Sequence, residues 1–159
     1  MLMDRPTYGL KDQRCPAPSV NAVGLLLPMP TLFLVNAFRE ELEMYAEFLS
    51  SSGFQVEAFG TPEAALRAAK RAAPDAIITR IRQDQGQMDG IQFTARLREE
   101  PATRHAAIVI ITTSMLAHDR EAAIQAGCDG YLLLPATPTD LVEKVQEVLS
   151  AKRKDRQED

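Results

Sequence analysis

The sequence predicts an α/β fold, with five parallel strands alternating with five helices in one doubly wound domain. Three observations predict it. Short apolar or alternating runs recur at Thr31–Val35, Phe54–Phe59, Ala76–Arg80, Ala107–Thr112 and Gly130–Leu133. Each is followed by a segment that reads as a helix, and after the first and last of them the apolar residues return with helical period. The punctuation between them, from Ser51-Ser52-Gly53 through Thr61-Pro62 and Gly127 to Thr137-Pro138, falls where helices start or stop. Strands spaced in this way connect through right-handed crossovers, which give a parallel sheet covered by helices on both faces.

Each element has its own justification. Thr31-Leu32-Phe33-Leu34-Val35 is continuously apolar and reads as a buried strand. A helix follows from Glu40 to Ser50, with Leu42, Tyr45, Ala46 and Leu49 on one face and Glu40, Glu43 and Glu47 on the other. Ser51-Ser52-Gly53 ends it. Phe54 to Phe59 alternates as a strand. Thr61 is a good N-cap and Pro62, at the first helical position, has no donor to lose. That helix is predicted to run to about Ala73, before Pro74. Ala76 to Arg80 is the third strand, and a polar loop from Gln83 to Gly90 follows it. The next helix spans Ile91 to about Glu99 and stops before Pro101. Ala107-Ile108-Val109-Ile110-Ile111-Thr112 is the most β-like run and predicts a central strand. A helix from about Leu116 to Ala126 ends at Gly127, and Gly130 to Leu133 is the last strand. Thr137-Pro138-Thr139-Asp140 caps the final helix, whose buried stripe is Leu141, Val145, Val148 and Leu149. The crossover rule favours a flavodoxin-like (βα)5 sheet of order 2-1-3-4-5.

Composition narrows the function. The chain has 159 residues, 45% of them hydrophobic and 25% charged, which suits one globular domain. Its net charge of −4 gives no electrostatic case for nucleic-acid binding. No apolar run reaches the length of a membrane span. Cys15 and Cys128 form no disulfide framework and have no metal-ligand spacing, which fits a reducing, cytoplasmic setting. His105 and His118 likewise show no ligand spacing. Residues 1–30 hold five of the ten prolines and no regular period, and read as a flexible or loosely docked N-terminal extension. Residues 31–151 are the α/β domain, and 152–159 are a charged C-terminal tail.

In such a sheet the site lies at the C-terminal ends of the central strands, here near Asn36, Arg80 and Thr112. Arg80 is the informative residue. A divalent cation requires carboxylates and is repelled by an arginine, whereas an anion or a neighbouring carboxylate is favoured.

From Thr31 to about Ala151 the chain resembles the receiver domain of bacterial response regulators. The resemblance is carried by Leu32-Phe33-Leu34-Val35, Gly53-Phe54-Gln55-Val56, Pro74-Asp75-Ala76-Ile77-Ile78, Met88-Asp89-Gly90, Ile110-Ile111-Thr112-Thr113, Ala126-Gly127-Cys128-Asp129-Gly130-Tyr131 and Pro135. It implies a fold built for aspartyl phosphorylation. Two acidic residues after the first strand and an acceptor Asp at the end of the third bind Mg²⁺. A Lys before a cis-proline contacts the phosphoryl group. A Ser or Thr ending the fourth strand, and an aromatic on the fifth, shift when phosphate arrives. Carried over residue by residue, the acidic pair aligns with Asn36 and Ala37, the acceptor with Arg80 and the Lys with Leu134. Thr112, Tyr131 and Pro135 match. The substitutions change the cleft from formally negative to formally positive, and no Mg²⁺ is expected there. Asp84 and Asp89, on the loop, are poorly placed as substitute acceptors.

The resemblance therefore implies a degenerate, pseudo-receiver member that is not an enzyme. It would be a stand-alone module of a two-component or phosphorelay type pathway, acting through a protein partner such as a kinase or output protein. Arg80 is expected to pair with Asp84, Asp89 or Glu40 and to fill the former metal site. The alternative is an anion or small ligand bound by Arg80 and Thr112, and a weaker one is a conventional phosphorylated regulator. Thr112 is expected to be a strand-end hydroxyl bonded to backbone, with a switch role as the competing reading. Tyr131 is read either as alternating between inward and outward positions or as fixed. The face formed by helix 4, strand 5 and helix 5 is the family's usual partner surface, and it also offers a route to a homodimer. Its candidates are His118, Glu121, Ala122, Gln125, Tyr131 and Leu133.

Overall fold

The computed structural model describes residues 29–82 and 88–158, with side chains described as far as Asp155. Residues 1–28, most of the predicted extension, and the loop residue Asp84 lie outside it. The strands are β1 (Thr31–Val35), β2 (Gln55–Phe59), β3 (Ala76–Arg80), β4 (Ala107–Thr112) and β5 (Gly130–Leu133). The helices are α1 (Arg39–Ser51), α2 (Pro62–Ala69), α3 (Gly90–Glu99), α4 (Ala117–Ala126) and α5 (Pro138–Glu158). All strand pairs are parallel, in the order β2-β1-β3-β4-β5. This is the predicted flavodoxin-like topology.

Alternation along each strand divides the core between two faces. Leu32, Leu34, Ile78, Val109 and Ile111 point to the face covered by Tyr45 and Leu49 of α1 and by Leu141, Val145, Val148 and Leu149 of α5. Phe33, Val35, Ile77 and Ile108 point the other way, onto Ala65, Leu66 and Ala69 of α2 and Phe93 and Leu97 of α3. Ile81 and Ile110 meet Ala123 of α4 in a smaller cluster. The central strands β3 and β4 are buried throughout, which explains their unbroken apolar runs.

The caps act as their chemistry requires. The Thr61 hydroxyl accepts from the Ala64 N–H at 3.1 Å, and Thr137 and Asp140 exchange reciprocal bonds at 3.1 and 3.0 Å. Asp89 and Gln92 form a second reciprocal pair that closes the start of α3. Gly127 ends α4 at φ 110°, in the left-handed region that glycine adopts without strain. Two boundaries differ from expectation. α2 ends at Ala69 rather than Ala73, because the chain tightens into a turn in which Arg71 N–H bonds to Ala68 O at 3.0 Å. α5 runs on to Glu158 through the predicted tail, and there Lys152 reaches Asp129 at 3.3 Å.

Two contacts fix the helices to the sheet ends. The Gly90 N–H bonds to Ile81 O at 2.8 Å, and a β-carbon at Gly90 would lie 2.1 Å from the Arg80 carbonyl oxygen. Only glycine allows α3 to start this close to the end of β3. At the opposite end of the sheet, Arg98 donates to Gly127 O, Arg104 O and Ala106 O and to the Asp129 carboxylate. Asp129 also accepts from Ile108 N–H at 2.9 Å, so one ion pair joins α3 to the starts of β4 and β5.

Candidate functional site

The ends of β1 and β3 bring together a network that excludes most water. Asn36, immediately after β1, is fully buried. Its side-chain oxygen accepts from Phe38 N–H at 2.8 Å, and its amide nitrogen donates to Glu41 Oε1 at 2.6 Å. Arg80, ending β3, donates from a terminal guanidinium nitrogen to the same Glu41 oxygen at 2.8 Å. The Arg80 side chain is 11% exposed and that of Glu41 25%. The guanidinium carbon lies 4.7 Å from the Phe38 ring centroid. A cation over an aromatic face contributes about 0.5–2 kcal/mol, more as water is excluded. One carboxylate oxygen thus serves two donors from the ends of different strands, and an aromatic ring covers the cation. Ala37, half-buried, adds no polar group to this cleft.

Arg80 is ion-paired, and of its three expected partners Asp84 lies outside the described residues. Among the described residues, the carboxylate bonded to it belongs to Glu41. Glu40 is exposed on the outer side of α1, and Asp89 caps α3, accepting from Gln92 N–H at 2.8 Å. The physical reason is helix phase. One residue turns a side chain by about 100°, which carries position 41 from the solvent side towards the cleft.

The remaining aligned positions lie around the same sheet end. Leu134 is buried, packs with the α1–α5 side of the core, and donates its N–H to Thr112 O at 2.7 Å. The Leu134–Pro135 peptide is cis. Thr112 is buried, and its hydroxyl accepts from Ser114 N–H at 3.0 Å, the local backbone bond expected of a strand-end threonine. Tyr131 is half-buried, with its hydroxyl oxygen inside the protein and the Arg120 guanidinium carbon 5.8 Å from its ring centroid. Burial raises the phenol pKa above its ordinary value, and the nearby Asp119 and Cys128 add to the rise. Of the partner-face candidates, His118, Glu121, Gln125 and Leu133 are exposed, while Ala122 and Tyr131 are half-buried. His118, Glu121, Ala122 and Gln125 share one face of α4 by helical spacing, and β5 supplies the other two.

Sequence reasoning missed Glu41, Phe38 and the bond from Ser114 Oγ to the Asp119 carboxylate. The signal for Glu41 was there, a carboxylate one step around the helix from the exposed stripe. Among the described residues, no group of three His, Cys, Asp or Glu side chains could hold a metal ion. No helix of these residues is long and apolar enough to cross a membrane.

Fold and site together define an α/β protein of the flavodoxin-like class, with a cleft at the C-terminal ends of its central strands. Within that class the assignment is specific. The model of the response regulator receiver domain matches residues 33–146, and the chain belongs to that family. It is 29% identical over 107 residues to the phosphate regulon transcriptional regulatory protein PhoB of Escherichia coli, covering 67% of this chain and 46% of the relative. It is 30% identical over 121 residues to the response regulator Rre1 of Synechocystis, covering 76% and 52%. The chain thus spans about half the length of these curated relatives. A crystal structure of a putative response regulator from Chloroflexus aurantiacus superposes with a TM-score of 0.72 at 28% identity, covering 77% of this chain and 99% of that one. The chain is a receiver-domain signalling module of the two-component type.

Proposed function

We propose that this receiver domain signals by binding a protein partner without being phosphorylated itself. The observation that carries the reading is the Arg80–Glu41 ion pair, which places a guanidinium and its counter-ion where the family's chemistry needs carboxylates and Mg²⁺. Asn36 and Ala37 supply no acidic pair, and Leu134 turns its side chain into the core rather than offering an ammonium group. A carboxylate already neutralised by a guanidinium has little electrostatic reason to recruit Mg²⁺. The domain acts as a pseudo-receiver, held in one arrangement by its own ion pair. The partner is a kinase or output protein of the pathway, met on the surface of α4, β5 and α5, which can also carry a homodimer.

The test is incubation with acetyl phosphate and Mg²⁺, followed by intact-mass analysis. An unchanged mass is expected. A phosphoaspartyl adduct that Asp84→Asn or Asp89→Asn abolishes would sink the proposal. The competing reading, an anion bound by Arg80 and Thr112, requires the ligand to displace Glu41 from Arg80. A thermal-shift screen with phosphate-bearing metabolites distinguishes it, through stabilisation that Arg80→Ala removes.

A further inference from the structure

β2 is an edge strand. Among the described residues it is bonded to β1 on one side, and no strand lies beyond it. The Gln55 N–H donates to Pro30 O at 2.9 Å, and Phe59 O accepts from Asn36 N–H at 3.0 Å. Gln55, Glu57 and Phe59 therefore turn their main-chain groups towards β1, and those of Val56 and Ala58 face outward. An open edge is a template for another strand, and folded proteins blunt it with lysine, proline, charge or a bulge. The sequence of β2, Gln-Val-Glu-Ala-Phe, has no lysine and no proline, and it pairs with β1 in unbroken register. Glu57 is its single charge.

The start of this edge opens into a groove of about 550 Å³ whose walls include Thr31, Phe54, Val56, Ala72 and Ala73. Thr31 is also the first residue of β1, so the preceding chain enters the domain here. Residues 20–30 carry no charge, and Val23, Leu25, Leu26 and Leu27 lie among them. Such side chains gain by leaving water, and the groove offers apolar walls at the point of entry. The reach is sufficient. From Leu27 to Thr31 an extended chain spans up to about 13–14 Å. A strand beyond β2 would lie two strand spacings from β1, roughly 10 Å. A chain that ends beside Gln55 and then enters β1 must run antiparallel to β2. Residues 23–27 match the five residues of β2 in number.

We propose that residues 23–27 form an antiparallel strand on the outer edge of β2, bonded to the main-chain groups of Val56 and Ala58, with leucine side chains seated in the groove. The chain closes its own edge, and a partner segment can pair with β2 only by displacing it. The groove lies at the opposite end of the strands from the Arg80 cleft, so this role is separate from the absence of phosphorylation.

Amide hydrogen exchange of the full chain, read residue by residue by NMR, tests it. In the parent, Val56 and Ala58 should exchange at least about 100-fold more slowly than an unstructured peptide. With Leu25→Asp and Leu27→Asp together, exchange at both should quicken at least about tenfold, while Glu57 and Phe59, bonded to β1, keep their rates. Leu25→Ile with Leu27→Ile, apolar and suited to a strand, should keep the slow exchange. Fast exchange at Val56 and Ala58 in the parent overturns the proposal. So does slow exchange that the aspartates leave unchanged, or a rise shared equally by Glu57 and Phe59. Protection that falls when the parent is diluted also overturns it, because it assigns the cover to a second copy.

Discussion

Glu41→Gln removes one charge from the cleft and almost nothing else. The amide keeps an oxygen where Glu41 Oε1 accepts from both Asn36 and Arg80. What it loses is the negative charge that Glu41 sets against a guanidinium that is 11% exposed. Breaking a fully buried pair from one side costs about 3–5 kcal/mol, whereas an exposed pair contributes about 0–1 kcal/mol. With Glu41 itself 25% exposed and the Phe38 ring still beneath the cation, an intermediate loss of about 2 kcal/mol is expected. Urea unfolding should show it as a fall in midpoint on the order of 1 M, with an unchanged slope. Arg80→Met provides the other arm of a double-mutant cycle. It removes the buried cation, and adding Glu41→Gln to it should then cost far less than Glu41→Gln alone. A loss below about 0.5 kcal/mol for Glu41→Gln, the level of an ordinary surface change, would refute the argument that this pair is desolvated and fixes the cleft.

Gly90→Ala would place a β-carbon 2.1 Å from the Arg80 carbonyl oxygen, a backbone contact that no rotamer can relieve. A loss of about 2 kcal/mol or more is expected in thermal or urea unfolding, together with perturbed amide resonances at Arg80 and Ile81. Stability should fall in alkali. Burial raises the phenol pKa values of Tyr45 and Tyr131 above the ordinary 10.0. A group whose folded pKa is raised contributes stability that is complete below the unfolded value and is lost as pH rises towards the folded one. Unfolding midpoints should therefore decline above about pH 10, and Tyr45→Phe with Tyr131→Phe should flatten that slope.

The strands were legible because their burial is written into their composition. Runs such as Ala107-Ile108-Val109-Ile110-Ile111, apolar on both faces, have no competing interpretation once turns bound them. The two misplaced helix ends lay where local pattern says little. Ala72 and Ala73 suit a helix as well as a turn, and the continuation of α5 is accompanied by a tie from Lys152 to Asp129, a contact that depends on tertiary structure. The capping box of Asp89 and Gln92 was visible as D-x-x-Q and went unread. In the site, a lone arginine ending a buried strand signalled a paired cation. Its partner depended on the rotational phase of α1, which a helix boundary uncertain by one residue leaves open. The bond from Ser114 to Asp119 spans a loop whose geometry no periodicity encodes.

The shared oxygen of Glu41 also couples the tolerances of positions 36, 41 and 80. An aspartate at position 80 alone would set two carboxylates against one another near the face of an aromatic ring. An apolar residue at position 41 alone would take the acceptor from both Asn36 and Arg80 at once. These positions, far apart in the chain, therefore tolerate change together more readily than one at a time.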